Sequence, residues 1–204
     1  ISGGKVRVSS LSHSTQAKGN LGGVSAQAAK FIIENGATLE ATAAVQLGSP
    51  IRFETSQGGI ISHSGDFEVN RSFYGTKLIK RGSGWMKLKA NNSSLDTMVI
   101  AGGTVQCISC TVPGKTVVFQ SGNLQENAGS SYNIHVTGNG TWRTANRSTY
   151  SNKITGDGTL TIYCATEKGN GWYATRTPLK MDMSAFTGTI VPQASYAEDG
   201  RFTL

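Results

Sequence analysis

The stretch LIKRGSGWMKLKANNSSLDTMVIAGGTVQC, from Leu78 to Cys107, interleaves short alternating runs of apolar and polar residues with glycines. Two alternating runs flank Gly82 and Gly84, a polar segment follows, and the pair Gly102–Gly103 opens the next run. Alternation bounded by glycine is typical of a short β-strand with one buried face. The stretch therefore predicts strand, tight turn, strand and polar loop in close succession.

The composition of the 204-residue chain favours strands over helices. Glycine accounts for 26 residues, and glycine, serine, threonine and asparagine are all weak helix formers. Charged residues make up only 15% and apolar residues recur at short intervals, so the composition is not that of a disordered chain. No run reaches the ~18 apolar residues of a membrane span, so we expect no membrane insertion of this segment.

The formal net charge of +7 comes from lysines and arginines that are scattered along the chain. Charge alone predicts a weak attraction to acidic polymers. No recognised nucleic-acid-binding motif accompanies the charge, so we expect no nucleic-acid partner.

Segments that begin with glycine and continue as an alternating strand recur at intervals of about 20 residues, the range of solenoid repeats. Examples are GATLEAT from Gly36, GGIISHS from Gly58, GGTVQCIS from Gly102, GNGTWRTA from Gly138 and GDGTLTIY from Gly156. A unit of this length cannot bury its own hydrophobic face, so successive units must stack. A β-sandwich would instead show hairpin turns at intervals of about 8–12 residues, and few are found. We therefore favour a β-solenoid.

Alternation after each glycine predicts which side chains face the interior. The predicted inward residues of successive coils are Leu39, Ile60, Met86, Val105, Leu124, Trp142 and Leu160. We expect Gly102 to hold a positive φ at a corner, where a larger residue would be strained. The segment Ser25–Asn35 could form a short helix or a turn and a strand, and we favour the strand because Gly36 then opens the next one.

The opening stretch resembles the autotransporter-associated β-strand repeat, also called the passenger-associated repeat. Its pattern is L-x-K-x-G-x-G-x-L-x-L, a polar linker, then V-x-x-G-x-L. The matching residues are Leu78, Lys80, Gly82, Gly84, Met86 in place of a leucine, Leu88, Val99, Gly102, Gly103 and Val105. A partial second copy, ITGDGTLTIYC, begins at Ile154, and DMSAFTGTIVP, from Asp182 to Pro192, is similar to another element of these repeats.

This resemblance implies an all-β fold, a right-handed parallel β-helix (β-solenoid), on a secreted or cell-surface bacterial protein. Residues 1–204 would then form a single β-helix domain of roughly nine or ten short coils. The first residues, ISGGKVRVSS, are neither an initiator methionine nor a signal peptide, so we expect a fragment of a longer surface protein. The resemblance implies no particular activity, and we expect a non-enzymatic extracellular module, an adhesin or stalk segment.

An alternative is part of a carbohydrate-active β-helix enzyme of the polysaccharide-lyase or glycosidase type. Such enzymes need clustered carboxylates, and the 12 Asp and Glu residues are dispersed. The segment SHSGD, Ser62–Asp66, contains Ser, His and Asp, but alternation points His63 away from the serines, so we predict no catalytic residues. Cys107 and Cys110 form a C-x-x-C without a second matching pair, so we predict neither a metal nor a cofactor. Alternation puts Cys107 and Cys164 inward, as free buried cysteines.

The strongest candidate for ligand binding is the outward face of the strand WMKLK. Alternation places Trp85, Lys87 and Lys89 together on that face, and a neighbouring coil could add Arg143. An aromatic ring flanked by cations can stack on a sugar ring and hold an acidic group. We therefore predict that Trp85, Lys87, Lys89 and Arg143 bind glycans or other host or cell-surface ligands.

Overall fold

The computed structural model describes residues 1–9, 31–47, 51–89, 94–107, 110–126, 132–144, 152–164 and 181–194. These residues form strands and turns, and no helix capable of crossing a membrane occurs among them. The strands are β1 (Lys5–Val8), β2 (Phe31–Glu34), β3 (Thr38–Ala41), β4 (Val45–Leu47), β5 (Ile51–Glu54), β6 (Gly59–His63), β7 (Phe67–Val69), β8 (Phe73–Arg81), β9 (Trp85–Leu88), β10 (Ser94–Ile100), β11 (Thr104–Cys107), β12 (Thr116–Glu126), β13 (Asn133–Thr144), β14 (Lys153–Gly156), β15 (Thr159–Cys164), β16 (Asp182–Phe186) and β17 (Thr189–Ala194).

Each strand pairs in parallel with the equivalent strand of the next coil, which produces three stacks that we call sides 1, 2 and 3. Side 1 contains β2, β5 and the starts of β8 and β10. Side 2 contains β1, β3, β6, the ends of β8 and β10, the starts of β12 and β13, β14 and β16. Side 3 contains β4, β7, β9, β11, the ends of β12 and β13, β15 and β17.

This arrangement confirms the predicted all-β parallel β-solenoid. It completes about six turns, fewer than we expected from dividing the whole chain by the repeat length. That division counted residues 10–30, 165–180 and 195–204 as coils, and they lie outside the described ranges. The predicted strand in the segment before Gly36 is confirmed as β2, Phe31–Glu34.

Apolar side chains stack in register to fill the interior of the solenoid. On side 3, Met86, Val105, Leu124 and Trp142 occupy equivalent positions in successive strands, and each is fully buried. Each coil thereby buries the apolar residues of its neighbours, which a single coil cannot do alone. The predicted inward positions of these residues are confirmed.

One residue of the predicted inward series, Ile60, lies on the opposite face. Ile60 points outward and is half-buried, whereas Ile61 is fully buried and pairs with Leu39 on side 2. The prediction counted alternation from Gly58, but Gly58 forms the corner, with a φ of 62°, and the strand begins at Gly59. A shift of one residue moves every side chain of a strand to the other face.

Leu160 is fully buried, as predicted, but its neighbour in the stack is Gly140, because Trp142 pairs with Ile162. Leu160→Ala should lower the free energy of unfolding by about 2–5 kcal/mol, since Gly140 has no side chain to fill the cavity. Thr161 is half-buried on the outward face, and Thr161→Ala should cost under about 0.5 kcal/mol. Urea denaturation of both variants measures the difference, and equal losses would contradict this assignment of faces.

The two cysteines of the C-x-x-C sequence lie in the interior. Cys107 is buried and free, which confirms its predicted inward position, and Cys110 is buried and free as well. The predicted facing of Cys164 lies outside the described side chains. The Cys110 thiol donates a hydrogen bond to the Leu88 carbonyl oxygen at 3.1 Å, so it links its corner to the preceding coil.

Candidate ligand-binding face

Two rows of outward-facing side chains run across the strands of side 3. The first, the Trp85 row, consists of Trp85, Thr104, Asn123, Thr141, Thr161 and Val191. The second, the Lys87 row, consists of Gln46, Glu68, Lys87, Gln106, Gln125, Arg143, Tyr163 and Gln193. Neighbours within a row are about 4.8 Å apart, the spacing of paired strands. The rows form a regular surface of hydroxyl, amide, charged and aromatic groups.

Trp85 is the large aromatic side chain that the Trp85 row presents to solvent. It begins β9 and is 40% exposed, while the next residue, Met86, is fully buried. Because successive side chains of a strand point to opposite faces, the indole projects outward, as predicted. Its in-register neighbour on the following coil is Thr104, which is buried.

The turn before Trp85 is held by the side chain of Lys80, which is fully buried. Its ammonium donates hydrogen bonds to the carbonyl oxygens of Gly82 at 2.6 Å, Gly84 at 2.8 Å and Gly102 at 2.8 Å. These carbonyls belong to the turns before β9 and β11. The ammonium therefore ties two successive corners together and fixes the start of the strand that carries Trp85.

Lys80 carries a positive charge at neutral pH. Burial lowers the pKa of its ammonium to about 8, which is still above 7. The carbonyl oxygens around Nζ favour the protonated form, because they accept hydrogen bonds from it. Backbone dipoles thus stabilise a charge within a largely apolar interior.

His63 packs beneath the same corner from the preceding coil. Its Nδ1 lies 2.7 Å from the Gly65 carbonyl oxygen, and its ring contacts Phe67. Burial lowers the pKa of His63 to about 4, so the imidazole is neutral at pH 7. The side chain points into the interior and Ser62 lies on the opposite face, so the predicted separation of His63 from Ser62 is confirmed, although the predicted inward position of Ile60 had put His63 outside.

Lys87 and Lys89 accompany Trp85, but both form ion pairs with acids of the preceding coil. Lys87 Nζ lies 2.6 Å from Asp66 Oδ2, and Lys89 Nζ lies 2.9 Å from Glu68 Oε1. Hydrogen bonding from Lys89 lowers the pKa of Glu68, which keeps this carboxylate ionised. The positive charge that the sequence indicated here is therefore largely compensated, although exposed ion pairs of this kind are weak and exchange readily.

Arg143 lies in the same row as Lys87 but at a distance from it. Gln106 and Gln125 stand between the two, so Arg143 is roughly 14 Å away at the usual strand spacing. Its guanidinium stacks over the Tyr163 ring, 4.5 Å from the ring centroid. The structure therefore places Trp85 and Lys87 on β9 with Lys89 directly after it, and it places Arg143 with Tyr163 in a second cluster.

Polar residues that the sequence analysis did not single out connect these two clusters. Gln106 Nε2 donates to Gln125 Oε1 at 3.4 Å, and Asn123 Nδ2 donates to Thr104 Oγ1 at 3.2 Å. The sequence pattern that could have predicted them is TVQ after Gly103 and NLQ after Gly122, because both place a hydroxyl or amide side chain at the same distances from the glycine.

No group of three or more His, Cys, Asp or Glu side chains that could hold a metal ion occurs in the part of the chain that the structure describes. Comparison of the chain with models of protein families, with curated proteins and with solved structures found no match. The similarity to the autotransporter repeat thus rests on the residues quoted above and on the parallel solenoid itself.

Proposed function

We propose that this solenoid is a non-enzymatic module of a secreted or cell-surface bacterial protein, an adhesin or stalk segment that binds glycans on side 3. The parallel stacking of short coils supports a spacer role, because such a rod lengthens by adding repeats. The repeat-like residues around Lys80 and Gly82 support an origin among surface-displayed proteins.

The observation that carries glycan binding is the exposed indole of Trp85 at the start of an ordered polar surface. An indole presents an apolar face that suits the C–H face of a sugar ring, and its N–H can donate a hydrogen bond. The amide and hydroxyl groups that follow, such as Gln106 and Asn123, can both donate to and accept from sugar hydroxyls. Their repetition along the solenoid suits an extended polymer better than a small ligand.

The ion pairs of Lys87 and Lys89 bear on which glycans bind. Because Asp66 and Glu68 compensate the lysines, stacking on Trp85 is the main source of affinity in this proposal. Acidic polysaccharides gain additional affinity only where one of their carboxylate or sulfate groups displaces Asp66 or Glu68 from its lysine. This electrostatic contribution to affinity weakens with salt.

The test compares Trp85→Ala with Val191→Ala on arrays of neutral and acidic glycans. Val191 is a matched control, because it lies in the same row and is also 40% exposed. Trp85→Ala should weaken binding to both classes about tenfold or more, which corresponds to roughly 1.4 kcal/mol, while Val191→Ala should bind as the wild type does. A Lys87→Ala, Lys89→Ala double variant should weaken binding to acidic glycans alone.

Two results would contradict the proposal: wild-type protein that retains no glycan at millimolar concentration, or equal retention by Trp85→Ala and wild type. Circular dichroism of each variant shows whether the solenoid is intact. Trp85 is exposed, so its replacement should leave the spectrum unchanged.

A further inference from the structure

A second candidate site lies on side 1, away from the Trp85 row. It is a shallow cleft of about 370 Å³. Its walls include Arg52, Glu54, Thr55, Tyr74, Thr76 and Ser94. These residues come from β5, the turn after it, the first half of β8 and the start of β10, so three successive coils contribute. We call it the Tyr74 cleft.

An exposed aromatic ring is the central feature of the Tyr74 cleft. Tyr74 is 37% exposed and stands in register between Arg52 on one coil and Ser94 on the next. Its flanking residue Phe73 is fully buried, so the phenol is on the outward face. The ring thus lies in a row with a guanidinium on one side and a hydroxyl on the other.

Opposite charges lie side by side next to this ring. Arg52 Nη1 donates to Glu54 Oε1 at 3.2 Å, and the two side chains remain 42% and 40% exposed. An exposed pair offers donors and acceptors within a few ångströms of each other, while its own interaction contributes little to stability. Adjacent hydroxyls of one sugar ring can satisfy such a pair, because each hydroxyl both donates and accepts.

The corner after β5 holds Thr55 at a positive φ, as the equivalent corner of the preceding coil holds Asn35. Thr55 has a φ of 66°, a conformation that β-branched residues rarely adopt. Its neighbours hold it there: Thr55 Oγ1 accepts from the Asn35 amide at 3.0 Å, and its carbonyl accepts from the Thr76 hydroxyl.

We propose that the Tyr74 cleft binds a single neutral pyranose ring, the terminal sugar of a glycan. The volume is at the lower end of the range of small-molecule sites, which suits one ring rather than an extended chain. The ring would stack on Tyr74, and its neighbouring hydroxyls would bind the Arg52–Glu54 pair. The choice of a sugar as the ligand rests on the proposed function. The position of the site does not, because the cleft lies on side 1 and the proposed glycan-binding face lies on side 3.

The test measures binding of methyl glycosides of glucose, galactose, mannose and N-acetylglucosamine by saturation-transfer NMR and calorimetry. Wild-type protein should bind at least one of them at millimolar concentration. Tyr74→Ala should weaken that binding about tenfold or more, Tyr74→Phe should retain it, and Arg52→Met should weaken it without altering the fold. Lys153→Ala, at an exposed position of side 2, should bind the glycosides as the wild type does.

Several outcomes separate this inference from the proposed function. If Tyr74→Ala binds the glycosides like the wild type, or if the wild type binds none, the cleft is not a sugar site. If Trp85→Ala nevertheless loses retention of glycan polymers, the proposal for side 3 is supported even though the cleft binds no sugar. Conversely, loss of glycoside binding in Tyr74→Ala with unchanged polymer retention in Trp85→Ala would support the cleft and contradict the side 3 proposal.

Discussion

Replacing Lys80 with methionine should lower the free energy of unfolding by about 3–6 kcal/mol, because the side chain would still fill its space but no longer donate hydrogen bonds. The carbonyl oxygens of Gly82, Gly84 and Gly102 converge on Nζ and would lose this partner together. Hydrogen bonds from a charged donor contribute about 1.5–3 kcal/mol each, and of the three carbonyls the one of Gly84 would keep a bond from the Thr104 N–H. Equilibrium urea denaturation followed by circular dichroism measures the loss.

Lys77 provides the control for this experiment. It lies on the same strand as Lys80 but is only half-buried and faces outward. Lys77→Met should change stability by under about 0.5 kcal/mol. Similar losses for the two variants would show that the ammonium of Lys80 does not hold the corner.

Lys80 also shows which structural features can be predicted from the sequence and which cannot. Alternation from Leu78 puts Lys80 on the inward side of its strand, a position where an unpaired charge would be costly. The glycines that follow, Gly82 and Gly84, make the burial possible, since their turn brings carbonyl oxygens to Nζ. The spacing of Lys80, Gly82 and Gly84 therefore has a physical explanation. That explanation also depends on the Gly102 carbonyl of the next coil, whose position cannot be read from the sequence.

The architecture was predictable because one signal repeats in every coil. A glycine followed by alternating residues indicates a strand and shows which of its side chains point inward. A repeat of about 20 residues is too short to form its own core, so neighbouring coils must share one. The predicted inward position was wrong at Ile60, because two consecutive glycines left the first residue of the strand ambiguous. The register between coils decides such cases, and it depends on contacts between residues about 20 positions apart.

The candidate site was predictable only within a single strand. Trp85, Lys87 and Lys89 share a face by alternation alone. Their partners Asp66 and Glu68 belong to the preceding coil, so the compensation of charge could not be foreseen. The Tyr74 cleft was missed for the same reason, because its walls come from three coils.

A matched pair of substitutions, Gly103→Ala and Gly102→Ala, should show which glycine the corner before β11 requires. The sequence predicted a positive φ at Gly102, and Gly102 has a φ of 159°, at the edge of the range that side-chain-bearing residues rarely adopt. A Cβ there would lie 3.3 Å from the Gly82 carbonyl oxygen. Gly103 has a φ of 61°, a left-handed conformation that alanine adopts at a cost of about 1–2 kcal/mol.

The surroundings of Gly103 raise this cost further. A Cβ on Gly103 would overlap Lys80 Nζ and lie 2.5 Å from the Gly84 carbonyl oxygen, so the corner must shift and the hydrogen bonds around the ammonium must lengthen. We expect Gly103→Ala to lose about 3–6 kcal/mol of unfolding free energy and Gly102→Ala to lose under about 1.5 kcal/mol. Thermal and urea denaturation of the two proteins measure both losses. If Gly102→Ala were the more damaging substitution, the corner would have to be formed by the other glycine, and the position assigned to the Lys80 ammonium would be wrong as well.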